Sequence, residues 1–118
     1  MQTLEKWKAI TKYKDGEFDG KYEVSNWGNL RNATTKQPLA TYSNGKGQGY
    51  LKTKIIDKSK KRRALYVHQL VALSFIGDSN GLEVNHKDGN VKNNSWTNLE
   101  WISHKANCEH YSAGRKAI

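Results

Sequence analysis

The chain has 118 residues, with 20 Lys and Arg against 11 Asp and Glu, a formal charge of +9. That is enough for one domain, or one domain with a small appendage. At 36% hydrophobic residues, with four Trp and six Tyr, its core is modest and leans on aromatic rings, which excludes a large two-layer enzyme with a deep pocket. A single cysteine, Cys108, excludes an intramolecular disulfide framework and a zinc site built on clustered thiolates. The apolar run Leu70 to Leu73 is far too short to cross a bilayer, and the first residues carry no apolar signal core, so a soluble intracellular protein with no membrane partner is expected.

The charge is not spread evenly. Residues 31 to 63 hold ten basic side chains against one acid, Asp57, so the whole excess lies in that stretch and the remainder balances. Such a footprint suits a polyphosphate, with nucleic acid the leading candidate. The plainer alternative is a solvated basic loop.

In chain order, Asp15-Gly16, Asp19-Gly20 and Trp27-Gly28 are tight-turn signals around the strand-like run Tyr22 to Ser25, predicting small antiparallel strands over residues 1 to 32. Gln37-Pro38 and the glycine-rich stretch 44 to 49 predict a loop that orders when something binds it. Leu51, Thr53 and Ile55 alternate with Tyr50, Lys52 and Lys54, and Arg63 to Val67 alternates likewise, which predicts a hairpin with a basic turn. Val67, Leu70, Val71 and Phe75 then follow helical spacing up to a stop at Gly77, and this helix is expected to cover the hairpin's apolar face. Leu82 to His86 reads as a short strand. An asparagine-rich loop follows, whose side chains must bond its own backbone, and Leu99 to Ile102 returns as a strand. Ser103 suits the N-cap of a closing helix running to about Gly114.

The last third can place a histidine beside an amide. A strand ends on His86, and the closing helix presents His104, Asn107, Cys108 and Tyr111 at spacings of about three and four residues. Histidine suits general-base work near neutral pH, and an asparagine oxygen is a hard ligand compatible with Mg²⁺. Equally, His86 reads as a turn histidine and Asn107 as a residue of a helix surface. Trp96 and Trp101 are expected in the core.

The ordered set Val84 to Asn90, Asn93-Asn94, Asn98 to Trp101 and Asn107 resembles the HNH endonuclease motif with its ββα-metal fold, in the branch found in phage and group I intron homing nucleases. Val67 to Ala72 with Phe75 resembles the helix that leads into that motif. Trp7, Ile10, Tyr22 to Asn26, Gly28, Leu30 and Arg31 are similar to a small nuclease-associated DNA-binding module. The resemblance implies an α+β fold of small antiparallel hairpins, with a β-rich DNA-binding module at 1–60 and an HNH nuclease domain at 61–118. It implies His86 as the general base, Asn98 as the asparagine that braces the loop and orients the histidine strand, and Asn107 as a metal ligand. Where the family often has an aspartate before the catalytic histidine this chain has Asn85, so the expected pair Asn85 and Asn107 brings no negative charge and binds metal weakly until a DNA phosphate completes the shell. Asp88 is a neighbouring carboxylate, or simply a turn residue.

The implied reaction is hydrolysis of a phosphodiester of double-stranded DNA with one divalent metal, Mg²⁺ or alternatively Mn²⁺. It nicks one strand and leaves 5′-phosphate and 3′-hydroxyl ends. Lys52, Lys54, Lys60, Lys61, Arg62 and Arg63 are expected on phosphates, His68 at a phosphate from the start of its helix, and Arg31 with the loop at 44 to 48 in a groove. The rival reading is a DNA-binding module that keeps the HNH elements as scaffold, and RNA binding is a third. The resemblance also implies the cytoplasm of a bacterial or phage-infected cell. With no C-terminal helix-turn-helix in the sequence, specificity is expected to be short, or supplied by a partner or by dimerisation; monomer and homodimer both stay open.

Overall fold

A computed structural model describes residues 4–13, 16–43 and 49–108. Among the described residues, nine short strands make four small antiparallel groups. Strands β1 (Trp7–Ala9), β4 (Tyr22–Ser25) and β5 (Leu30–Asn32) form a sheet in the order β1-β4-β5, and β2 (Lys12–Tyr13) pairs with β3 (Gly16–Glu17). Strands β6 (Lys52–Ile56) and β7 (Arg62–Tyr66) form the expected hairpin, with Lys52 opposite Tyr66 and Ile56 opposite Arg62. Its alternation holds, since Thr53 and Ile55 are buried while Lys54 and Ile56 are exposed. The expected loop at 44 to 48 lies outside the described residues.

Helix α1 spans Val67–Phe75 and has no side-chain cap; its first N–H instead donates to Leu51 O at 3.0 Å. A nine-residue helix without a cap is held by what it buries rather than by propensity. Val67, Leu70, Val71 and Ala72 are buried in one cluster with Val24, Leu30, Ile55, Leu65, Val84 and Leu99. The helix therefore does more than cover the hairpin: it packs against β4 and β7, and against β8 (Glu83–His86) and β9 (Leu99–Ile102). Gly77, at φ 141°, ends it as expected. Trp96 and Trp101 pack against the same cluster, and the Trp101 indole donates to Gly77 O at 3.0 Å.

The expected boundary between residues 60 and 61 falls in the turn of hairpin β6–β7, and the apolar cluster runs through both sides of it. Two further contacts tie the N-terminal strands to later parts of the chain. Trp96 N–H donates to Asn26 O at 2.8 Å, and the Tyr13 hydroxyl donates to Gln69 Oε1 on α1. Strands β8 and β9 pair from Glu83 with Ile102 to His86 with Leu99. A second helix, α2, begins after Ser103, whose hydroxyl accepts from Ala106 N–H at 3.1 Å as an N-cap; its described part is residues 104–108, and the expected end near Gly114 lies outside the described residues. Among the described residues no helix is long and apolar enough to cross a membrane.

Candidate active site

His86 closes β8 and is 4% exposed. The chain then makes a twelve-residue excursion before β9 returns, and polar side chains hold that loop together. The Asn98 side chain accepts from Asp88 N–H at 3.1 Å and donates to Asp88 Oδ1 and to Asn93 O, each at 2.9 Å. Its backbone oxygen accepts from Lys87 N–H at 2.8 Å, so one residue ties both ends of the loop. Asp88 also accepts from Asn90 N–H at 2.8 Å and from the Asn93 amide at 2.9 Å. These donors, the Asn93 amide first, hold its carboxyl below the usual carboxylate range.

Asn98 makes no hydrogen bond to the His86 ring; Asn94 does. Asn94 Oδ1 lies 2.8 Å from His86 Nε2, and both residues are buried. An amide oxygen can only accept, so Nε2 carries the proton and the lone pair is left on Nδ1. Burial lowers the His86 pKa; the Asn94 contact and the Asp88 charge oppose it but do not outweigh it. Two other rings crowd this one: Tyr50 stacks at 5.8 Å and 25°, and His68 lies at 5.1 Å; Tyr66 in turn lies 5.4 Å from His68. Tyr50 was expected beside Lys52 on the hairpin's polar face, but it precedes β6 and turns its ring to the histidines.

Period-two alternation puts Glu83 and Asn85 on one face of β8. Asn85 is buried, and its side chain makes no hydrogen bond among the described residues. From α2, Asn107 donates its amide to Glu83 Oε1 at 3.1 Å, and His104 Nδ1 meets Glu83 Oε2 at 3.0 Å. These bonds, that of Asn107 first, lower the Glu83 pKa. Asn107 Oδ1 is buried and has no hydrogen-bond partner among the described residues. Tyr50, Tyr66, His68, Glu83 and Asn107 all line one cleft of about 430 Å³.

Asn107 Oδ1, an orphaned amide oxygen, and the buried Asn85 amide are of the chemistry that fits a hard divalent cation, which takes oxygen ligands and keeps several waters. Among the described residues no three His, Cys, Asp or Glu side chains are grouped as ligands.

The expected phosphate contacts divide. Lys60, Lys61 and Arg62 are exposed at the hairpin turn. Lys54 lies over the Tyr42 ring, and Lys52 lies 4.9 Å from the centre of the Tyr66 ring at the cleft. Arg63 departs from expectation: its Nε is 2.8 Å from Asp57, whose buried carboxylate organises the turn. Arg31 does too, because its Nε is paired with Glu23 at 2.8 Å and its guanidinium stacks 3.8 Å over the Trp7 ring, which fixes it to the sheet rather than offering it to a groove. His68 is 6% exposed among the rings, so it faces the cleft and not an open surface. Asn94 and Glu83 were missed as site residues, since each meets its partner only through the folded loop or helix.

Residues 65–108 match the HNH endonuclease family and residues 5–70 match the NUMOD4 motif. The DNA endonuclease I-HmuI of Bacillus phage SP01 is 38% identical over 104 residues, covering 87% of this chain and 55% of that enzyme. An uncharacterised HNH endonuclease of Acanthamoeba polyphaga mimivirus is 37% identical over 102 residues, covering 86% of this chain and 30% of that protein. A solved structure of the homing endonuclease I-HmuI superposes with a TM-score of 0.74 at 36% identity, over 96% of this chain and 60% of the other. The fold and site define a small α+β protein with a ββα unit at its C-terminal end. This chain belongs to the HNH endonuclease family and carries a NUMOD4 motif at its N-terminal end.

Proposed function

We propose that the chain is a metal-dependent DNA endonuclease that nicks one strand of a duplex. The observation that carries this reading is His86, buried, with Nε2 committed to Asn94 and Nδ1 left as the basic atom, in a chain whose Asn107 amide oxygen has no partner among the described residues. In the proposed step His86 Nδ1 takes a proton from a water as its oxygen attacks the phosphorus. The bond to the 3′ oxygen breaks and that oxygen takes a proton from a second water, leaving a 3′-hydroxyl and a 5′-phosphate. Asn98 braces the loop that carries Asn94, and Asn94 orients the ring. Asn85 and Asn107 would hold a divalent cation, Mg²⁺ or Mn²⁺. Bound there, the cation supplies positive charge to the scissile phosphate and the leaving oxygen. Lys52, Lys54, Lys60, Lys61 and Arg62 would meet the DNA backbone. The phage relative supports this substrate, since that enzyme is a DNA endonuclease.

One feature favours a second reading. Both candidate ligands are neutral amides, which suits a DNA-binding module that keeps the HNH scaffold without cutting. Incubating supercoiled plasmid with the protein in Mg²⁺, Mn²⁺ or EDTA separates the two. Open-circle product with ligatable ends, formed only with metal, is the expected result. Plasmid retarded in a gel yet uncut under every ion, and equally uncut on the natural target, would favour the binding module.

A further inference from the structure

We infer that Glu83 is the positioning residue for Asn107, fixing its amide so that Oδ1 rather than Nδ2 faces the cation site. The inference rests on the reading of Asn107 as a cation ligand. Glu83 Oε1 accepts from Asn107 Nδ2 at 3.1 Å, while Oε2 is held by His104 Nδ1 at 3.0 Å, so both carboxylate oxygens are engaged. An amide is planar, and its oxygen and nitrogen differ little in size. Turned over, Asn107 would set its oxygen against a carboxylate oxygen and present a donor to the cation. The carboxylate therefore selects one of two otherwise similar orientations, and the selected one leaves Oδ1 buried without a partner. An ordinary surface pair would leave that oxygen in water. Glu83 also stands on the same face of β8 as Asn85, so it sets a negative charge beside two neutral ligands without being one.

The test uses Glu83→Ala and Glu83→Thr, which remove the carboxylate, and Glu83→Gln, which keeps an acceptor. The Glu83 side chain is 43% exposed, and Thr suits a strand, so loss of folding in the Ala variant would not end the test. Each change is placed in a His86→Ala background bound to a short DNA duplex, and Mn²⁺ binding is measured by electron paramagnetic resonance against the duplex alone. DNA affinity in EDTA is the control. Removing the carboxylate should weaken Mn²⁺ binding by about tenfold to a hundredfold, the usual effect of losing an outer partner of a ligand. In the His86 protein the Mg²⁺ needed for half-maximal nicking should rise in parallel, while the rate at saturating Mg²⁺ changes little. Glu83→Gln should restore part of the loss. A folded Ala or Thr variant that binds Mn²⁺ as tightly as its parent would overturn the role of Glu83 alone. A parent that neither nicks nor takes up Mn²⁺ would overturn the reading of Asn107, and this inference with it.

Discussion

At the scale of single residues, His86, the proposed base, sits between opposing influences. Burial disfavours its cation, while Asn94 and Asp88 favour it, and burial wins. A base works only when neutral, so a lowered pKa extends activity toward acid. The acid limb of the nicking rate against pH should therefore have its midpoint below 6.5, the value of an ordinary histidine. A midpoint at or above 6.5 would contradict the burial argument. Asn94 fixes the ring's tautomer, so Asn94→Ala should cost about tenfold to a hundredfold in nicking rate, as loss of an outer partner does, with little change in DNA affinity. Equal rates for the variant and its parent would remove Asn94 from the site. The sequence made His86 and Asn98 visible through their spacing in the motif. It hid Asn94, because which of three neighbouring asparagines returns to the ring depends on the path that Asn98 and Asp88 impose on the loop.

Among elements, the most telling junction is between the β4–β5 turn and the site loop. Gly28 has φ 91°, and a Cβ built there would stand 2.9 Å from Asn94 Cβ. The β4–β5 turn thus presses on the residue that holds the His86 ring. Gly28→Ala should destabilise the protein by about 1–3 kcal/mol through backbone strain, read by thermal unfolding. It should also slow nicking at temperatures where the variant is folded, because Asn94 must move; a folded variant with unchanged nicking would show the contact to be inert. The elements themselves were largely legible. Alternation marked β6 and β7, helical spacing and Gly77 marked α1, and the turn signals marked β4. The docking of Gly28 on Asn94 was not, since it joins segments 66 residues apart and leaves no local pattern. Glu83 was hidden for the same reason, its partner lying 24 residues away on α2.

For the molecule as a whole, the basic excess and the site lie on continuous structure. The hairpin that carries Lys60, Lys61 and Arg62 at its turn leads directly into α1, whose His68 lines the cleft. Arg31 and Arg63 spend charge on Glu23 and Asp57, so the lysine-rich turn should dominate phosphate contact. Lys61→Ala with Arg62→Ala should weaken duplex binding alike for all sequences and reduce the slope of log affinity against log salt by about 1 per lost contact. An unchanged slope would move the DNA elsewhere. The measurement that bears most directly on the nuclease reading is the single-turnover nicking rate of His86→Ala beside the unaltered protein, at saturating protein and Mg²⁺. A loss of about 10²–10⁴-fold with DNA binding intact is predicted for a general base. Nicking by His86→Ala at the rate of the unaltered protein would contradict it.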